Sequence, residues 1–134
     1  MTTYEWYKNL IKPFWAPPSW VFGPVWSVLY VIIFITFGFV LYKAFTGKIS
    51  WFIALPFILN LVFNFAFTPI QFGLKNNFLA MIDILLVLLT LIWALVYIWQ
   101  NFKELKWIVY ANIPYLLWVL FATALQITIT YLNR

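Results

Sequence analysis

Four stretches of this chain, 19–42, 49–74, 84–102 and 107–133, contain no charged residue. Each is close to or above the roughly 20 residues that a helix needs to cross the hydrocarbon core of a bilayer. Backbone groups in lipid have no water to bond, so such stretches must form helices or a closed barrel. Period-two alternation is absent, which argues against the barrel. The expected fold is therefore all-α: an integral membrane bundle of about four transmembrane helices. Only 8% of residues are charged, whereas a soluble domain uses about a quarter. The 134 residues read as one transmembrane domain. It comprises a leading loop over 1–18 and helices near 19–45, 50–72, 78–101 and 105–132.

Boundaries follow from local chemistry. Ser19 after Pro17-Pro18 reads as an N-cap. Thr46-Gly47-Lys48 and Gly73 to Asn77 interrupt the apolar runs. Pro24, Pro56, Pro69 and Pro114 fall inside the spans and predict bends, above all at Pro114. The first thirteen residues, MTTYEWYKNLIKP, lack the apolar core of a signal peptide.

Charge and composition exclude several function classes. The net charge of +5 comes from seven Lys and Arg134 against Glu5, Asp83 and Glu104. It lies between the apolar runs, as expected beside anionic headgroups. No basic stripe exists, so nucleic acid is not an expected partner. Four basic residues fall on each side of four spans, so orientation is undetermined. The chain has no Cys and no His, which removes disulfides, zinc sites and the usual haem ligands. No metal site is expected, and Met81 is the only internal methionine.

Polar residues inside the apolar runs point inward. Asn60, Asn64, Thr68 and Gln71 share one helix face. They read equally well as interhelical hydrogen-bond glue or as the wall of a ligand site. Tyr115, Trp118, Ala122 and Gln126 share another face, and Ala122 beside Trp118 suggests a recess. Trp26 and Tyr30 lie one turn apart on the first span. Together they outline an apolar cavity with a few polar groups, the usual form of a small-molecule site. The nine Trp also suit the membrane interface. Asp83 reads first as an acid near a helix N-terminus, with structural hydrogen bonding and a proton or cation relay as alternatives. Leu125, Tyr131 and Arg134 fit a loose cholesterol-contact pattern.

A longer pattern is more specific. Trp6-Tyr7, Leu10, Lys12-Pro13, Pro17-Pro18, Trp20 to Trp26 and Leu29-Tyr30 resemble the signature of the translocator protein family. These are the tryptophan-rich sensory proteins, also called peripheral benzodiazepine receptors. Leu59-Asn60, Phe72-Gly73, Ala80, Ile82-Asp83, Pro114-Tyr115, Trp118 and Phe121-Ala122-Thr123 continue it in order. The resemblance implies a five-helix bundle binding porphyrins, sterols and benzodiazepine-site drugs in a cavity near one membrane face. The loop from Trp6 to Trp20 would close over that cavity. Ligand contacts would fall on Tyr7, Pro17, Trp26, Tyr30, Asn60, Asn64, Trp118 and Ala122. Three features depart from the pattern: no helix precedes the Trp6-Tyr7 pair, Phe63 replaces a Trp, and Leu125-Gln126 replaces a late Leu-Asn. The first departure leads to the expectation of a homodimer.

The function expected is a receptor or carrier for porphyrins or other flat apolar ligands in a bacterial or archaeal cell membrane. No cofactor is required, and metal-free protoporphyrin IX is the expected ligand, with Lys12 near a propionate. The alternative is a light- and oxygen-dependent porphyrin-degrading enzyme using Trp26 and Trp118. No nucleophile–base pair supports ordinary hydrolysis. Four-helix multidrug exporters fit poorly, because the first span carries no carboxylate.

Overall fold

The computed structural model describes residues 10–17, 19–68 and 76–133, except the side chains of Ser19 and Thr68. All regular elements among them are helical. A 3-10 turn, Ser19–Val21, leads into α1, Phe22–Phe45; α2 spans Trp51–Thr68 and α3 spans Asn77–Asn101. After a second 3-10 turn come a short α4, Lys106–Ala111, and α5, Ile113–Leu132. Helices α1, α3 and α5 are each long and apolar enough to cross a membrane, and α2 is a shorter apolar helix. Large apolar side chains cover the outside: Phe34, Phe45, Leu89 and Leu117 are all exposed. Such a coat suits hydrocarbon rather than water.

The termini are built by side chains that satisfy unpaired backbone groups. At the end of α1, Gly47 takes φ 76°, which only glycine adopts without cost. This lets the Lys48 amide donate to the Lys43 carbonyl at 2.9 Å and the Gly47 amide to Ala44 at 3.1 Å. That pair of bonds is a Schellman closure. Ser50 Oγ accepts from the Phe52 amide at 3.1 Å at the start of α2. Asn76 Oδ1 accepts from the Leu79 amide at 3.0 Å at the start of α3.

Three boundaries differ from the sequence reading. The first α-helix begins at Phe22 rather than at Ser19. Pro24 then falls in its first turn, where no intrahelical acceptor is lost, so no bend is required there. The span expected at 50–72 is helical over Trp51–Thr68, and residues 69–75, with Pro69 and Gln71, lie outside the described residues. The helix expected over 105–132 is two helices joined at Asn112. Pro114 cannot donate to the carbonyl four residues back, and the chain breaks just before it. Asn112 stabilises the break: its Nδ2 donates to the Ile108 carbonyl at 2.8 Å and to Thr36 Oγ1 at 3.0 Å.

Helix α3 is central, packed against α2 on one flank and α5 on the other. Their shared core includes Phe57, Val87, Leu91, Ile98 and Val119. Helix α1 contributes Leu29, Ile33, Phe37 and Val40. Its contact with α2 is sparse, and it joins α5 mainly through rings. At the far end Lys106 Nζ lies 4.1 Å above the Trp99 ring, a basic residue resting on an aromatic face.

Candidate functional site

Helices α1 and α5 run antiparallel, and rings bridge them. Phe22 meets Trp118 edge-on with centroids 6.0 Å apart. One turn on, Trp26 meets Tyr115 at 6.4 Å, and Phe37 also approaches Tyr115, at 6.3 Å. Trp26 lies against Tyr30 at 5.5 Å with planes tilted by 33°. Beyond Trp118 the series continues to Phe121 at 5.4 Å and from there to Trp15 at 5.7 Å. The geometry follows from spacing: residues three or four apart share a helix face, so Phe22, Trp26 and Tyr30 line up opposite Tyr115, Trp118 and Phe121.

Behind this aromatic seam runs a directed chain of hydrogen bonds. Tyr30 Oη donates to Asn64 Oδ1 at 3.1 Å. Asn64 Nδ2 donates to Tyr115 Oη at 2.6 Å. Tyr115 Oη donates to Asn60 Oδ1 at 2.9 Å. Asn60 Nδ2 donates to the Val87 carbonyl at 2.9 Å and to Thr90 Oγ1 at 3.2 Å. The chain ties α1, α2, α3 and α5 together. In an apolar interior each of these groups would be costly if unpaired.

The network assigns different roles to the expected residues. Asn60 is fully buried and both ends of its amide are engaged within the protein; it acts by holding Tyr115. Asn64 is also buried and links Tyr30 to Tyr115. Tyr30 stands at the rim, 38% exposed. Trp26 and Trp118 are half-buried and form successive rungs of the seam. Ala122, one turn beyond Trp118, is half-buried against the main core. Pro17 is half-buried near the start of α1, and Tyr7 lies outside the described residues.

The segment before α1 lies along the C-terminal end of α5. The Ile11 amide donates to Asn133 Oδ1 at 3.0 Å, and Asn133 Nδ2 donates back to the Ile11 carbonyl at 2.8 Å. Leu10 and Ala16 pack with Leu125 and Ile129. Lys12, in this segment, has its pKa lowered from the ordinary 10.5 by partial burial.

Among the described residues, three buried side-chain atoms lack hydrogen-bond partners, one of them Asn112 Oδ1. The indole Nε1 of Trp118 is buried and has no hydrogen-bond partner. Asp83 Oδ2 is likewise buried without one. Asp83 lies beyond the first turn of α3, too far in to cap the helix, so the expected N-terminal role does not hold. Leu125 is 5% exposed and Tyr131 61% exposed. Arg134, the third residue of the cholesterol-contact pattern, lies outside the described residues.

Sequence reasoning did not single out Thr90, Thr36, Asn112, Phe22 or Trp15 as parts of this arrangement. Asn112 carried a usable signal: a polar amide two residues before a proline, inside an apolar run. Thr36 and Thr90 carried little, because a membrane threonine can bond its own helix. Both do so, at 2.8 Å to Ile32 and Leu86.

The TspO/MBR family model matches residues 1–132. The chain is 39% identical to Tryptophan-rich protein TspO of Bacillus cereus over 129 residues, covering 96% of this chain and 80% of that protein. It is 37% identical to Tryptophan-rich protein TspO of Archaeoglobus fulgidus over 131 residues, with 96% and 80% covered. It is 34% identical to Translocator protein of Homo sapiens over 125 residues, with 91% and 71% covered.

Proposed function

Because this chain belongs to the TspO/MBR family, we propose that it is a membrane receptor or carrier for a flat apolar ligand bound at the α1–α5 seam. Metal-free protoporphyrin IX is the ligand of choice. The observation that carries the reading is the buried Trp118 Nε1–H without an acceptor. Leaving such a donor unpaired costs about 1–3 kcal/mol, and a ligand acceptor that displaces the side chains now covering it would recover that cost. Rings of Trp26, Tyr30 and Trp118 offer faces and edges to a planar guest, each favourable contact contributing about 0.5–1.5 kcal/mol. Asn64 and Asn60 keep Tyr30 and Tyr115 in position. Tyr7, Pro17 and Ala122 complete the proposed contact set.

Iron is not needed for this recognition. The chain has no His and no Cys, so axial ligation would fall to Tyr or Met81. Lys12, in the segment before α1, supplies a cation for a propionate. The name of the human relative, Translocator protein, speaks for a carrier. Relatives in Bacillus cereus and Archaeoglobus fulgidus support a cell-membrane location.

Titration of the detergent-solubilised protein with protoporphyrin IX tests the proposal. Saturable quenching of tryptophan fluorescence, with a matching shift of the porphyrin absorption band, is the expected result. Quenching that rises linearly without saturation, as for partition into micelles, would overturn it.

A further inference from the structure

Where α3 gives way to α4, one indole is held from two sides. Lys106 Nζ lies 4.1 Å from the centre of the Trp99 ring, above its face. Tyr110, one turn further along α4, meets the same ring edge-on at 5.8 Å. An aromatic face orients an ammonium group but does not neutralise it. The N–H donors of Lys106 that point away from the ring therefore stay open to an anion. Lys103 opens the 3-10 turn Lys103–Leu105, and the Lys106 amide donates to the Lys103 carbonyl. Residues three apart in such a turn eclipse, which places both lysine stems on one side.

Positive charge at this end has little to balance it. Lys43, Lys48, Lys103 and Lys106 are joined there by one acid, Glu104, and no ion pair forms among the described residues. The C-terminus of α3 contributes about half a negative charge, felt only within its last turn. That is well short of the two full charges of Lys103 and Lys106. Away from the lysines the surface turns apolar. Val96 and Ile92, three and then four residues before Trp99 on the same face of α3, are exposed. Ile113 and Leu120 are exposed on α5, which packs against α3. Ammonium groups, then amphipathic rings, then apolar side chains reproduce the layering of phosphate, glycerol and acyl chain in a bilayer leaflet.

These two features choose the occupant. A soluble anion would use the lysines and leave the apolar track idle. A zwitterionic lipid would use the track but bring its own cation toward the lysines. An anionic phospholipid uses both. We propose that Lys103, Lys106, Trp99 and Tyr110 form a binding site for one anionic phospholipid. Its phosphate sits between the two lysines, its glycerol backbone lies against the two rings, and an acyl chain runs along Val96 and Ile92. The site is separate from the α1–α5 seam and does not depend on the tetrapyrrole reading.

Photo-crosslinking in phosphatidylcholine nanodiscs tests this. The probes are phosphatidylglycerol and phosphatidylcholine, each carrying a diazirine near the start of one acyl chain, and labelled peptides are mapped by mass spectrometry. Phosphatidylglycerol should label residues 92–113 saturably and at least fivefold more than phosphatidylcholine. Unlabelled phosphatidylglycerol should compete, and soluble glycerol 3-phosphate should not. One lysine near a membrane surface changes affinity about fivefold, so Lys103→Gln and Lys106→Gln should each cut the labelling by about that factor. Lys106→Arg, which keeps the charge and stacks on a ring, should label as wild type does. Lys48→Gln, at the same end but in the α1–α2 connection, should also match wild type. Equal labelling by both lipids would mean annular lipid only and would overturn the proposal. A loss in Lys48→Gln as large as in Lys106→Gln would mean a diffuse surface potential, and competition by glycerol 3-phosphate a site for free phosphate; either would overturn it too. Thermal melting of Lys106→Gln by circular dichroism should match wild type. If it does not, the wild-type lipid preference and the Lys103→Gln result decide the matter alone.

Discussion

Tyr115 and Asn60, 55 residues apart in sequence, meet through a 2.9 Å hydrogen bond, with both side chains fully buried. The same phenol oxygen accepts from Asn64. One side chain of α5 therefore fixes two amides of α2, and through them Tyr30 on α1 and Thr90 on α3. This junction sets the spacing of the seam, because Tyr115 also carries the ring contacts to Trp26 and Phe37.

Tyr115→Phe keeps those ring contacts and removes both hydrogen bonds. Interhelical hydrogen bonds in membrane proteins contribute about 0.6 kcal/mol on average and up to about 1.7. The variant should lose about 1–2 kcal/mol of stability by denaturant titration in mixed micelles. A midpoint equal to wild type would show that the amides find other partners and that the junction is not structural.

Asn112 and Thr36 should be energetically coupled. Their 3.0 Å bond joins the break between α4 and α5 to α1. A double-mutant cycle with Asn112→Ala and Thr36→Val should give a coupling of about 0.6 kcal/mol. Strict additivity of the two losses would mean that Asn112 acts only within its own helix pair.

Asn133→Ala should release the segment before α1 without unfolding the bundle. The two bonds to Ile11 contribute about 0.5–1.5 kcal/mol each. Amide exchange over residues 10–17 should rise about fivefold or more, while exchange in α3 stays at the wild-type rate. Unchanged protection of 10–17 would assign its order to Leu10 and Ala16 packing alone.

Lys12→Gln should weaken protoporphyrin IX about 1.5- to 5-fold, as expected for an ion pair near the surface. The dimethyl ester, which lacks the carboxylates, should bind both proteins alike. Burial lowers the Lys12 pKa, so on raising the pH its positive charge disappears below the ordinary 10.5. The advantage of the free acid over the ester should fade in that alkaline range. An ester that loses as much affinity as the acid in the variant would remove Lys12 from the site.

The helical architecture was readable because long uncharged runs admit few alternatives. The inward faces were readable from spacing: Asn60 and Asn64 lie one turn apart, as do Trp26 and Tyr30. The partners were not readable. Nothing local in the sequence says that the Asn60 amide meets Tyr115 rather than a ligand, since that depends on how α2 and α5 are set around α3. The break at Asn112 was half legible. Pro114 announced a disruption, but the buried amide that terminates α4 and reaches Thr36 belongs to tertiary packing. The orphaned Trp118 Nε1 could not be anticipated at all, because an indole N–H becomes an unpaired group only when its neighbours are known.

The central claim is that the α1–α5 seam is where a planar ligand binds. Affinity for protoporphyrin IX in Trp26→Ala, Trp118→Ala and Trp99→Ala tests it most directly. Trp99 serves as the control, since it lies at the far end of the bundle beneath Lys106. Loss of one ring contact of about 0.5–1.5 kcal/mol should weaken binding about two- to tenfold in each of the first two variants. Trp99→Ala should bind as wild type does. Equal affinity in all four proteins, or a loss confined to Trp99→Ala, would contradict the account.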